Sequence, residues 1–118
     1  MSAPAIARVV LYVKDLQAVA AFYERLFKMK PLPGATNGWI ELASPAGGCT
    51  IALHKAAKSQ KSGTAIKLVF GVPDVPRFVR EKEQQGFRFG VIHRPDGFEF
   101  ANAKDPAGNS ISVSSRGL

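Results

Sequence analysis

Asp105-Pro106-Ala107-Gly108-Asn109-Ser110-Ile111-Ser112-Val113 has an echo earlier in the chain, Ser44-Pro45-Ala46-Gly47-Gly48-Cys49-Thr50-Ile51-Ala52-Leu53. Each is a Pro-Ala-Gly turn feeding a short alternating strand, with Ile111 and Val113 on one face of the later copy and Ile51 and Leu53 on one face of the earlier. Pro45 and Pro106 stand 61 positions apart, and Ile51 and Ile111 stand 60 apart. Upstream the correspondence continues: Leu11-Tyr12-Val13-Lys14-Asp15-Leu16 matches Phe70-Gly71-Val72-Pro73-Asp74-Val75 at an offset of 59. Three matches at nearly one offset define an internal duplication.

Each half of a 118-residue chain is too small to bury a sufficient core alone, so the reading is one domain, 1–118, built from two modules that pack together. The first module spans 1–56, a linker 57–63, and the second module 64–118. The linker lies within the polar stretch Lys55 to Thr64, which carries Lys55, Lys58 and Lys61. A net charge of +7 raises nucleic acid as a partner, but the basic residues are scattered and lack a dense block with interleaved aromatics, so none is expected. No apolar run approaches the roughly 20 residues needed to cross a bilayer, and Arg8 and Lys14 leave only Val9 to Val13 as an uncharged apolar stretch, too short for a signal peptide. The single cysteine, Cys49, excludes an intramolecular disulfide and fits a reducing compartment, so the expected location is cytoplasmic, with no membrane partner.

In chain order, Ala5 to Val13 alternates as a strand, Asp15 caps a helix running to about Lys28 with Val19, Phe22, Tyr23 and Leu26 at helical spacing, and Pro31 and Pro33 follow as breakers. Gly38 to Ala43 and Thr50 to His54 read as strands. The second half repeats the order: strand Ile66 to Val72, Asp74 as cap with Pro76 in the first turn, a helix stopping at Gly86, then strands Phe87 to His93, Phe98 to Ala103 and Ser110 to Ser114. The second module is thus βαβββ, and the duplication extends the same reading, βαβββ, to the first.

The duplicated βαβββ unit, the strand ending Val13-Lys14-Asp15-Leu16 before an Ala21-Phe22-Tyr23 helix, and the closing Lys104-Asp105-Pro106-Ala107-Gly108-Asn109-Ser110-Ile111 together resemble the vicinal oxygen chelate superfamily. That group includes glyoxalase I, extradiol dioxygenases, fosfomycin-resistance enzymes and bleomycin-resistance proteins. The resemblance covers essentially the whole chain. It implies an α+β fold in which two tandem modules form curled, mixed half-barrel sheets around a ligand cavity. It also implies a homodimer. The fold hosts isomerases, dioxygenases, thiol transferases and drug binders, so it does not name the activity.

In the metal enzymes of that superfamily, His or Glu ligands occupy one position on the first and last strand of each half. Those positions correspond here to Arg8, Ala52, Lys67 and Ser112. None has the imidazole, thiolate or carboxylate that binds a divalent metal, so no metal and no cofactor are expected. Alternation along the strands places Arg8 with Tyr12, Lys67 with Gly71, and Thr50 with Ala52 and His54 on the cavity side, facing Trp39, Glu41, Phe98, Phe100, Asn102 and Ser112. The expected ligand-binding set is Arg8, Tyr12, Trp39, His54, Lys67, Phe98, Phe100, Asn102 and Ser112.

Glu41 is the acid on that side, fitted either to act as a general base or to serve as counterion to Arg8 or Lys67. Arg8 and Lys67 occupy equivalent points of the two modules, and an anionic ligand between them, its aromatic body against Trp39, Phe98 and Phe100, would relieve their repulsion. The function expected from these residues is metal-free binding of a small, anionic or aromatic molecule. The alternative is a lyase or isomerase of the lactoylglutathione lyase kind, or a dioxygenase, working from a non-standard site that uses Glu41, His54 and His93.

Overall fold

The computed structural model describes residues 3, 5–58 and 66–117. The linker expected at 57–63 falls largely on 59–65, outside the described residues, and Lys55 belongs to the strand before it. The chain divides into two compact units, 1–62 and 63–118.

In the first unit, β1 (Arg8–Val13), β2 (Lys30–Pro31), β3 (Trp39–Ala43) and β4 (Thr50–Lys55) form a mixed sheet in the order β1-β4-β3-β2. β1 runs parallel to β4 and β3 antiparallel to it, so the strand that follows the Pro-Ala-Gly turn lies inside the sheet. Central placement explains why Ile51, Ala52 and Leu53 are all buried. The helix α1 (Leu16–Phe27) starts where the Asp15 carboxylate accepts from Ala18 N–H at 3.1 Å, and it packs on β3 and β4 through Leu16, Val19, Ala20, Tyr23 and Leu26. Phe22, expected on that stripe, is half-buried at its flank and meets Tyr23 edge-on at 5.3 Å. Pro31 is tolerated in β2 because the strand is an edge.

The second unit repeats the arrangement with β5 (Lys67–Gly71), β6 (Phe100–Lys104) and β7 (Ser110–Ser114) in the order β5-β7-β6, and again the strand after the turn is central and wholly buried. α2 (Val75–Gln84) begins at the Asp74 cap, whose carboxylate accepts from Arg77 N–H at 3.1 Å, and packs against β6. One expected strand is absent: Phe87 to His93 forms no regular strand. Among the described residues its backbone meets β6 where Gly90 N–H donates to the Asn102 carbonyl and where His93 and Phe100 exchange hydrogen bonds. Gly90 weakens extended pairing there, and Phe87 N–H is already committed to the Lys82 carbonyl at the end of α2. The second unit is therefore βαββ with an irregular edge, and the fold is mixed α+β with two open sheets.

The duplicated turns are held differently. Asp105 is buried, and its Oδ1 accepts from the backbone N–H groups of Ala107 and Asn109, both at 2.9 Å, while Oδ2 accepts from Asn109 Nδ2 at 3.0 Å. Gly108 supplies the positive φ of 87° that lets the chain turn back into β7. In the first copy Ser44 Oγ accepts from Ala46 N–H at 3.1 Å, one side-chain hydrogen bond where the Asp105 carboxylate accepts three.

Candidate functional site

On the face of the first sheet turned from α1, the register aligns Arg8, Val10 and Tyr12 of β1 with Thr50, Ala52 and His54 of β4, and these with Glu41 and Trp39 of β3. Glu41 is the hub of this face. Its Oε2 accepts from Thr50 Oγ1 at 2.6 Å and from Arg8 Nε at 3.1 Å. The Thr50 hydroxyl bond foremost, then the Arg8 bond, hold the carboxyl below its ordinary value of 4.5. At the other end of the face His54 stands between two rings, Tyr12 at 5.2 Å and Trp39 at 6.1 Å, with its Nδ1 2.9 Å from the Lys55 carbonyl.

The corresponding face of the second sheet carries Lys67, Val69 and Gly71 of β5, Ser110, Ser112 and Ser114 of β7, and Phe100, Asn102 and Lys104 of β6. An open depression of about 450 Å³ lies on it, lined by Lys67, Val69, Gly71, Phe98, Phe100, Ser112, Ser114 and Arg116. That volume is within the range of small-molecule sites. Lys67 Nζ donates to Asn102 Oδ1 at 3.0 Å, and Ser112 Oγ donates to the Ala101 carbonyl at 3.0 Å. Along one edge the rings form a ladder. His93 stacks on Phe100 at 4.6 Å, Phe100 on Phe98 at 6.1 Å, and the Arg116 guanidinium lies 5.5 Å from the centroid of Phe98.

The family model for the glyoxalase/bleomycin resistance protein/dioxygenase superfamily matches residues 5–113. The chain belongs to that superfamily. Solved structures agree on the fold. A lactoylglutathione lyase from Agrobacterium tumefaciens is 23% identical with a TM-score of 0.78, covering 97% of this chain and 95% of that one. An antibiotic binding protein from Streptomyces sp. CB03234 is 18% identical with a TM-score of 0.78, covering 96% of each chain. An integron cassette protein from V. Cholerae is 27% identical with a TM-score of 0.71, covering 97% of this chain and 96% of its own. Among curated proteins none matches the sequence.

Superfamily members that use a metal need N or O donors at four strand positions, and the chemistry at those positions here does not fit one. Arg8 is a cation already bonded to Glu41, Ala52 has no donor atom, Lys67 is a cation bonded to Asn102, and the Ser112 hydroxyl is turned to a backbone carbonyl. Among the described residues no group of three or more His, Cys, Asp or Glu side chains is placed to hold a metal ion.

Of the residues singled out in the sequence, Arg8, Tyr12, Trp39, Glu41 and His54 share the first sheet's face, and Lys67, Phe98, Phe100 and Ser112 line the depression on the second. Asn102 stands beside the depression and holds Lys67. Ser114, on the alternating face of Ser110 and Ser112, and Arg116 lie outside the expected ligand-binding set. Arg116 follows the last strand, where no alternation pattern says which way a side chain points, and Ser114 was visible only as one more serine on an alternating face.

Proposed function

We propose that the chain is a metal-free binding protein for a small aromatic molecule, taken up on the sheet faces rather than transformed there. The observation that carries this reading is the pairing of a depression walled by Phe98, Phe100 and Val69 with cations, a methyl and a hydroxyl where metal ligands would be needed. The antibiotic binding protein among the similar structures supports it as a fold precedent.

A lyase, isomerase or dioxygenase working from Glu41, His54 and His93 is less well served. A carboxyl held below its ordinary range by Thr50 and Arg8 is a weak base, and His93 is stacked face-on against Phe100. Two further parts of the reading rest on the surface and the thiol. Exposed Val10, Tyr12 and Val69 on the sheet faces support a homodimer, which light scattering at micromolar concentration would test. The exposed free thiol of Cys49 fits the reducing cytoplasm, and no helix among the described residues is long and apolar enough to cross a membrane.

The test of the metal-free reading is elemental analysis of protein prepared without chelator. The expected result is well under one Zn, Ni, Fe or Mn per chain. About one metal per chain, removable with loss of thermal stability, would overturn it.

A further inference from the structure

We infer that the depression on the second sheet recognises a small aromatic oxyanion, a carboxylate or phosphate ester on a ring, through Lys67, Ser114 and Arg116. This rests on the binding reading above and adds the chemical class of the ligand and the residues that read it. The contacts expected of Arg8 from its sequence position pass instead to Arg116.

The argument begins with charge. The depression's lining holds two cations, Lys67 and Arg116, and no carboxylate. Neither cation makes an ion pair among the described residues, whereas Arg8, Arg77 and Arg94 are paired with Glu41, Glu81 and Glu99. Among the described residues Lys67 hydrogen-bonds the neutral Asn102 amide and no acid, which leaves two of its three N–H donors and its charge open to a ligand. Arg116 lies over a ring face, which orients the planar guanidinium without neutralising it. Ser114 Oγ accepts from Arg116 N–H at 3.1 Å, and its own proton has no acceptor among the described residues. The site is thus rich in donors, which is the requirement for an oxyanion.

The internal duplication explains why this face and not its twin. Reading the two registers against each other, Lys67 corresponds to Arg8, Ser110 to Thr50, Asn102 to Glu41, Gly71 to Tyr12 and Ser114 to His54. In the first sheet the acid cancels the cation and the Tyr12 ring occupies the surface beside His54. In the second, an amide stands in place of the acid and a glycine in place of the tyrosine, which leaves both charge and space. The Phe98 and Phe100 rings then offer a flat wall for an aromatic body next to the cations.

Calorimetric titration of the full chain with naphthoate, phenyl phosphate and neutral naphthamide tests the inference. Naphthoate and phenyl phosphate should bind, with affinity falling as salt is added, and naphthamide should bind about tenfold more weakly than naphthoate. Lys67→Gln and Arg116→Gln should each weaken naphthoate about tenfold and leave naphthamide unchanged. Both side chains are exposed, so the variants should keep the wild-type circular dichroism spectrum, and Arg80→Gln, an exposed cation on α2, is the charge-matched control. Naphthamide matching naphthoate would overturn the oxyanion assignment and leave the small-molecule site standing. Anion binding undiminished in both Lys67→Gln and Arg116→Gln would do the same. If none of the three probes binds at millimolar concentration, both the inference and the binding reading fall.

Discussion

The two sheets are one motif written twice, and they differ at two positions that decide their chemistry. Where the first has Glu41, holding Arg8 and Thr50 together, the second has Asn102, which bonds Lys67 without cancelling its charge. Where the first has Tyr12 packed at 5.2 Å from His54, the second has Gly71 opposite Ser114 at the rim of the depression. A duplicated scaffold keeps its apolar positions in both copies because both must fill a core. The positions on the open faces are free to diverge, and an acid-to-amide change combined with a tyrosine-to-glycine change separates a charge-balanced face from a receptive one.

The comparison is tested most strongly at its shared part. Ile51 and Ile111 are counterparts on the two central strands and both are buried, so Ile51→Ala and Ile111→Ala should each lower the unfolding free energy by about 2–5 kcal/mol in denaturant titrations. A loss under about 1 kcal/mol at either position would break the equivalence of the strands. Next in size is Gly71→Tyr, which writes the first face's filling residue into the second. It should weaken naphthoate binding by about tenfold or more, roughly 1.4 kcal/mol, while the circular dichroism spectrum stays that of the wild type. Unchanged affinity would mean that the space beside Gly71 is not what the ligand uses.

The smallest effect concerns the charge-balanced face. Folding holds the Glu41 carboxyl below 4.5, so its contribution to stability is complete above that value and is lost as pH falls through the lowered folded-state value. Thermal melts between about pH 7 and about pH 3 should show wild type and Glu41→Gln converging at the acid end. Parallel curves across that range would show that Thr50 and Arg8 do not hold the carboxylate in solution.

Much of this was readable in the chain because duplication and alternation are local signals. Asp15 and Asp74 announce two helices by the same capping chemistry, and Ile51, Leu53, Ile111 and Val113 announce two core faces by period-two spacing. The segment 87–93 misled, since Phe87, Phe89 and Val91 alternate like a strand while Gly90 and the end of α2 deny it a continuous ladder. The two-residue β2 was hidden by Pro31, which reads as a breaker unless the strand is known to be an edge. On the faces, the sequence offered Glu41 either cation as partner, and only the register, which sets Glu41 and Thr50 with Arg8 on one sheet, decides for Arg8. Arg116 was invisible for the opposite reason: its place depends on the turn after β7 and on the Phe98 ring it covers, and neither is periodic.

The most direct test of the central claim is a calorimetric titration of naphthoate into Asn102→Glu, which gives Lys67 the partner that Arg8 has. If the missing acid is what leaves the second face receptive, this one change should weaken naphthoate by about tenfold or more while naphthamide binds as it does to wild type. Naphthoate affinity equal to wild type in a folded Asn102→Glu variant would contradict the account.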